Sequence, residues 1–106
     1  MRLEEIGHFW RRHERTRFPD SCLGEQAPCA GLALVEADVS LCVRTFLGNG
    51  GSLDAWRRSV LAECDRQLAD VLPLLGGDEL AYFANLKRLT EGVMLHAAAR
   101  RPSRLD

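Results

Sequence analysis

The sequence predicts an all-α fold, an up-down-up three-helix bundle with a short N-terminal helix and an irregular strap packed on it. Three observations carry this. Ala, Leu, Glu, Gln, Lys, Arg and Met fill 55 of 106 positions, whereas Val, Ile, Thr, Phe, Tyr and Trp fill 17, a balance that favours helix over strand. Helix breakers are clustered at Pro19, Gly24 and Pro28 to Gly31, at Gly48 to Gly51, at Pro73 to Gly77 and at Pro102, which cuts the chain into four segments. Within the segments, apolar residues recur every three or four positions.

The first segment, about Leu3 to Arg15, sets Leu3, Ile6, Phe9, Trp10 and His13 on one face and places Glu4 and Glu5 in its first turn, where the helix dipole favours acids. His8 falls on the solvated side. The second, about Leu32 to Leu47, has a seam of Val35, Val39, Cys42, Val43 and Phe46 and ends at Gly48-Asn49, residues suited to a left-handed cap. The third is expected to take Ser52 as its N-cap and to present Leu53, Trp56, Val60, Cys64, Leu68 and Val71 before Pro73. The fourth, with Asp78 as the expected N-cap, presents Leu80, Phe83, Leu86, Leu89, Thr90, Val93 and Ala97. Short links make the last three antiparallel neighbours. The whole is read as one domain: residues 1–17 as the N-terminal helix, 18–31 as the strap, 32–99 as the three-helix core and 100–106 as a frayed tail.

Composition excludes several classes of function. Fourteen basic residues against fifteen acidic ones give a net charge of −1, whereas a duplex-binding module is plainly basic, so nucleic acid is not the expected partner. The longest run without a charge, Gln26 to Val35, falls far short of the ~18 apolar residues of a membrane span. Charges and Trp10 interrupt any apolar signal-peptide core near Met1. The reading is therefore cytoplasmic, with Cys22, Cys29, Cys42 and Cys64 expected as reduced thiols. All basic residues but Lys87 are Arg, which we read as the mark of a GC-rich bacterial genome.

Candidate chemistry rests on polar residues inside apolar stripes, because a buried charge costs several kcal/mol unless it is paired. Projected at about 100° per residue, Glu36 falls between Val43 and Leu47, and Arg57 between Cys64 and Leu68. Lys87 lies between Leu80 and Met94, and His96 follows Leu89 and Val93. In the functional reading Glu36, Arg57, Lys87 and His96 line a pocket for a small anionic ligand, Arg57 binding it and Glu36 or His96 exchanging a proton. In the plainer reading they are structural pairs, Glu36 with Lys87 and Arg57 near His96, whose stems reach water.

No metal or cofactor is expected. His8 and His13 are five residues apart, and Cys22 and Cys29 lack the tight C-x-x-C spacing of structural zinc sites. Cys42 and Cys64 fall on core seams, which leaves Cys22 and Cys29 in the strap as the candidates for a redox or metal-responsive role. Gly48-Asn49-Gly50-Gly51 has no strand before it and no Lys-Ser/Thr after it, so it is a turn rather than a phosphate loop. Phe9, Trp10, Arg11 and Arg12 form the candidate partner-binding face, because a 13-residue amphipathic helix is marginal unless it docks on its own bundle, on a second copy or on a partner. The expected function is a non-enzymatic module for protein interaction or self-association.

Overall fold

A computed structural model describes residues 1–24 and 27–99, and the expected frayed tail at 100–106 lies outside the described residues. Four α-helices, α1 (Leu3–Glu14), α2 (Leu32–Gly48), α3 (Ala55–Val71) and α4 (Gly77–Ala99), pack as an all-α bundle. Helices α2, α3 and α4 pack on one another, and α1 lies over α4 and α2. This is the cover over the open face that its amphipathic pattern requires. No strand occurs among the described residues.

The core follows the stripes closely in α2, where Leu32, Val35, Val39, Cys42, Val43 and Phe46 are all buried. Helix α1 contributes Ile6, Trp10 and His13. Burying an aliphatic or aromatic side chain is worth about 2 kcal/mol, so Ile6 and Trp10 together offset the weak helicity of a 12-residue segment. Helix α4 buries Tyr82, Phe83, Leu86, Leu89, Thr90, Val93 and Ala97. Its expected apolar residue Leu80 stands partly in solvent instead.

The termini correct three expectations. Helix α3 takes Asp54, not Ser52, as its N-cap: the Asp54 carboxylate accepts the Arg57 backbone N–H at 3.3 Å and the Arg57 guanidinium at 2.8 Å. A carboxylate facing both the dipole and a cation outcompetes a hydroxyl. Helix α4 begins at Gly77, with Asp78 in its first turn rather than capping it, and the Gly76 carbonyl accepts from Leu80 at 3.3 Å. The left-handed residue after α2 is not Gly48 or Asn49 but Gly50, at φ +68°. Gly51 N–H donates to Phe46 O at 2.9 Å and Gly50 N–H to Leu47 O at 3.2 Å, the paired bonds of a Schellman closure.

Trp56 departs from the predicted seam of α3 and is 69% exposed, while Leu53, before the helix, and Leu61 take buried positions. The Arg57 guanidinium lies 6.0 Å from the Trp56 ring centroid. Trp56→Ala is expected to change unfolding free energy by less than about 0.5 kcal/mol in urea titration, as for an ordinary surface site. A loss above about 1.5 kcal/mol would return Trp56 to the core.

The described residues of the strap between α1 and α2 are more ordered than their lack of periodicity implies. They include a 3-10 turn, Asp20–Leu23, and Cys22 and Cys29 are joined by a disulfide, which corrects the expectation of free thiols. The 3-10 turn and the turn leading into α2 bring the two Cα atoms to 5.1 Å, inside the range a disulfide spans. Cys42 and Cys64 are free and buried, as the seams require. Burial, with help from nearby carboxylates, pushes the Cys64 thiol up to about 11, so it is inert at neutral pH.

Candidate functional site

The most concentrated polar chemistry sits where α1, α2 and α4 meet. Glu36 projects from the apolar arc of α2, and its carboxylate accepts from three helices. His13 Nε2 lies 3.1 Å from each carboxylate oxygen. Tyr82 Oη donates to Oε1 at 2.9 Å, and Ser40 Oγ donates to Oε2 at 3.0 Å. A carboxylate can only accept, so Nε2 of His13 is a donor. Burial works to raise the Glu36 pKa, but the hydrogen bonds of His13, Tyr82 and Ser40 and the charge of His13 outweigh it and hold the carboxyl below its usual value. Burial, and then the Glu36 carboxylate, raise the Tyr82 phenol far above the ordinary tyrosine value.

The His13 ring is clasped between aromatics, stacked on Trp10 at 5.8 Å and tilted against Tyr82 at 4.8 Å between centroids. Its side chain is only 3% exposed, yet His13 forms part of the wall of a cavity of about 170 Å³ along the α1–α4 seam. Phe9, Arg12, Thr16, Tyr82, Asn85 and Arg88 complete the wall. The Arg88 guanidinium sits 5.5 Å from the Phe9 ring centroid, a cation–π arrangement that orders it beside the opening.

The cavity continues at both ends. Phe9 and Arg88 are shared with an open cleft of about 570 Å³ that also includes Glu4, Glu5, His8 and Arg11. Thr16, Tyr82 and Asn85 are shared with a cleft of about 410 Å³ walled by Phe18, Pro19 and Asp78. The result is one groove along α1 and α4, most enclosed where His13 forms part of its wall. Its middle is cationic, because Arg12 and Arg88 form no ion pair among the described residues.

Of the candidate ligand residues, Glu36 belongs to this cluster and the other three lie elsewhere. Arg57 pairs with Asp54 at the start of α3, with its Nε buried and unpartnered among the described residues. Lys87 binds Asp65 of α3 at 2.8 Å and Glu91 of its own helix at 3.0 Å, not Glu36. His96 packs edge-on against Phe46 at 5.4 Å. Of the candidate partner face, Phe9, Arg11 and Arg12 border the groove, whereas Trp10 is buried under the Arg44 guanidinium, 6.0 Å from its centroid.

Sequence reading did not assign His13 or Tyr82 to a site. The available signal was a histidine continuing the apolar face of α1 and a carboxylate inside the apolar stripe of α2, two groups that each need a buried partner. Comparison with protein families, with curated proteins and with solved structures finds no match.

Proposed function

We propose that this protein is a non-enzymatic binding module whose α1–α4 groove takes an acidic segment of a partner protein, one carboxylate seating between Arg12 and Arg88. The observation that carries the reading is the pair of guanidiniums, without carboxylate partners among the described residues, on the wall of a cavity of about 170 Å³. That enclosed volume holds one side chain, and the open clefts at both ends leave room for the flanking residues of an extended segment. Arginine suits the task, since its planar fork meets a carboxylate with two parallel hydrogen bonds. Phe9 and Phe18, half-buried along the groove, offer apolar contact for residues flanking the acid. The reading places the module in the cytoplasm, as the sequence suggested. No helix among the described residues is long and apolar enough to cross a membrane.

The test is an NMR titration with a capped heptapeptide of Glu and Leu, beside the same peptide carrying Gln for Glu. The Glu peptide is expected to move the amide signals of Phe9, Arg12, Asn85 and Arg88, and the Gln peptide to bind about tenfold more weakly. Arg12→Gln and Arg88→Gln should each weaken binding by a similar factor, in line with charge-assisted pairing. Equal shifts from both peptides, or none from either, would remove the reading. Equal shifts with sodium acetate alone would replace the peptide with a free small anion.

A further inference from the structure

Away from the groove, a second cluster has metal-binding chemistry. Cys22 in the 3-10 turn, Cys29 before α2 and Glu79 in the first turn of α4 bring two sulfurs and a carboxylate oxygen within 4.8 Å of one another. Both cysteines are buried and Glu79 is half-buried. Glu79 is held in place by the Ser21 hydroxyl, which donates to Oε2. Hydrogen bonds of this kind orient metal-ligating carboxylates.

In the oxidised chain the two sulfurs are spent on each other. In a reducing compartment a disulfide of this sort is characteristically transient. We propose that the reduced chain binds one zinc ion through Cys22 Sγ, Cys29 Sγ and a carboxylate oxygen of Glu79, with the fourth position open to water. The donor set fits. Two thiolates select a borderline-soft ion such as zinc over magnesium or calcium, and a carboxylate completes three protein ligands. Around a tetrahedral zinc, donor atoms lie about 3–4 Å apart, so the two sulfurs, bonded to each other in the oxidised chain, must part once reduced, while the Glu79 oxygen, within 4.8 Å of them, draws in.

The exchange balances with a dithiol as reductant. One of its thiolates attacks a sulfur of the Cys22–Cys29 bond, which breaks and leaves a mixed disulfide and one protein thiolate. The second thiol of the reductant displaces the other cysteine. The reductant departs as its own disulfide, its two electrons and two protons having passed to Cys22 and Cys29. Zinc then takes the place of both thiol protons, which go to solvent. The strap is thereby fastened to α4 by a metal when reduced and closed on itself by a covalent bond when oxidised.

The experiment titrates the full chain with Co²⁺ alone, after reduction by a phosphine and removal of the excess, and follows thiolate-to-cobalt absorption. Zn²⁺ is then added in competition with a chromophoric chelator. Expected are one equivalent bound by the reduced chain, none by the oxidised chain, and release of about two protons per zinc near neutral pH. Glu79→Gln, which leaves both thiols in place, is expected to weaken zinc binding at least tenfold. A double variant, Cys42→Ser with Cys64→Ser, keeps it. Equal binding by oxidised and reduced chains would overturn the site, as would unchanged affinity in Glu79→Gln. So would loss of binding in the double variant with helix content intact by circular dichroism.

Discussion

Replacing Glu36 with leucine is expected to lower unfolding free energy by about 3 kcal/mol, the lower end of the cost of removing one partner from a buried pair. The penalty comes from what is left behind. His13 Nε2–H and the hydroxyls of Tyr82 and Ser40 all lose their acceptor, and each orphaned buried donor costs about 1–3 kcal/mol. The lower end applies because the Glu36 side chain is 20% exposed, so water reaches part of the cluster. Differential scanning calorimetry should show a fall in Tm of about 12 °C at this chain length. Glu36→Gln, which keeps an acceptor but not the charge, should lose about half as much. A fall below about 3 °C for Glu36→Leu would mean that the three donors find water as readily as carboxylate.

The same cluster sets a sign for pH dependence. Glu36 binds its proton less tightly when folded than at the ordinary glutamate value of 4.5, so protonation favours the unfolded chain. Its contribution is therefore complete above about pH 4.5 and fades as pH falls through the lowered folded value. Glu36→Gln should flatten that part of the acid limb in urea titrations between pH 6 and pH 3. An unchanged limb would assign acid sensitivity to other carboxylates.

Gly51→Ala is expected to cost about 2 kcal/mol, from two sources that a double variant separates. At φ +97° a side chain is strained whatever surrounds it, by about 1–2 kcal/mol. A Cβ there would also stand 2.9 Å from His96 Cε1 and 3.4 Å from Leu3 Cδ1. His96 would have to leave its place against Phe46. Adding His96→Ala to Gly51→Ala should therefore cost less than the two single changes summed, because the contact is then already gone. Strict additivity in urea titrations would assign the whole penalty to the backbone.

Much of the fold is legible in the sequence, because stripe and breaker patterns act within one segment. The limits of α1 and α2 fall within one residue of those predicted, and every apolar residue picked for the α2 seam is buried. Burial of Glu36 is legible for the same reason. Its partner is not, since a helical projection gives the direction in which a side chain points but not what stands there. His13 is 23 positions away, on the far side of the strap, and Tyr82 is 46 away. Trp56 escapes the pattern because apolar character at the right angle does not ensure that a neighbour covers the first turn of α3. The disulfide is not legible, because the reading of the chain as cytoplasmic favours reduced thiols and the six residues between the two cysteines show no periodicity that would place them together. Only the turns of the strap bring them close.

Helix α1 supplies one whole bank of the groove, and it reaches the rest of the molecule through the strap and its own buried side chains. The groove consequently exists only in molecules where α1 is seated. Any occupant is then thermodynamically coupled to that seating: saturating it adds RT ln(1 + [L]/Kd) to the free energy of lifting α1 away. Amide hydrogens of Ile6 to His13 would exchange more slowly by that same factor, which makes exchange along α1 a readout of occupancy for a ligand never directly observed.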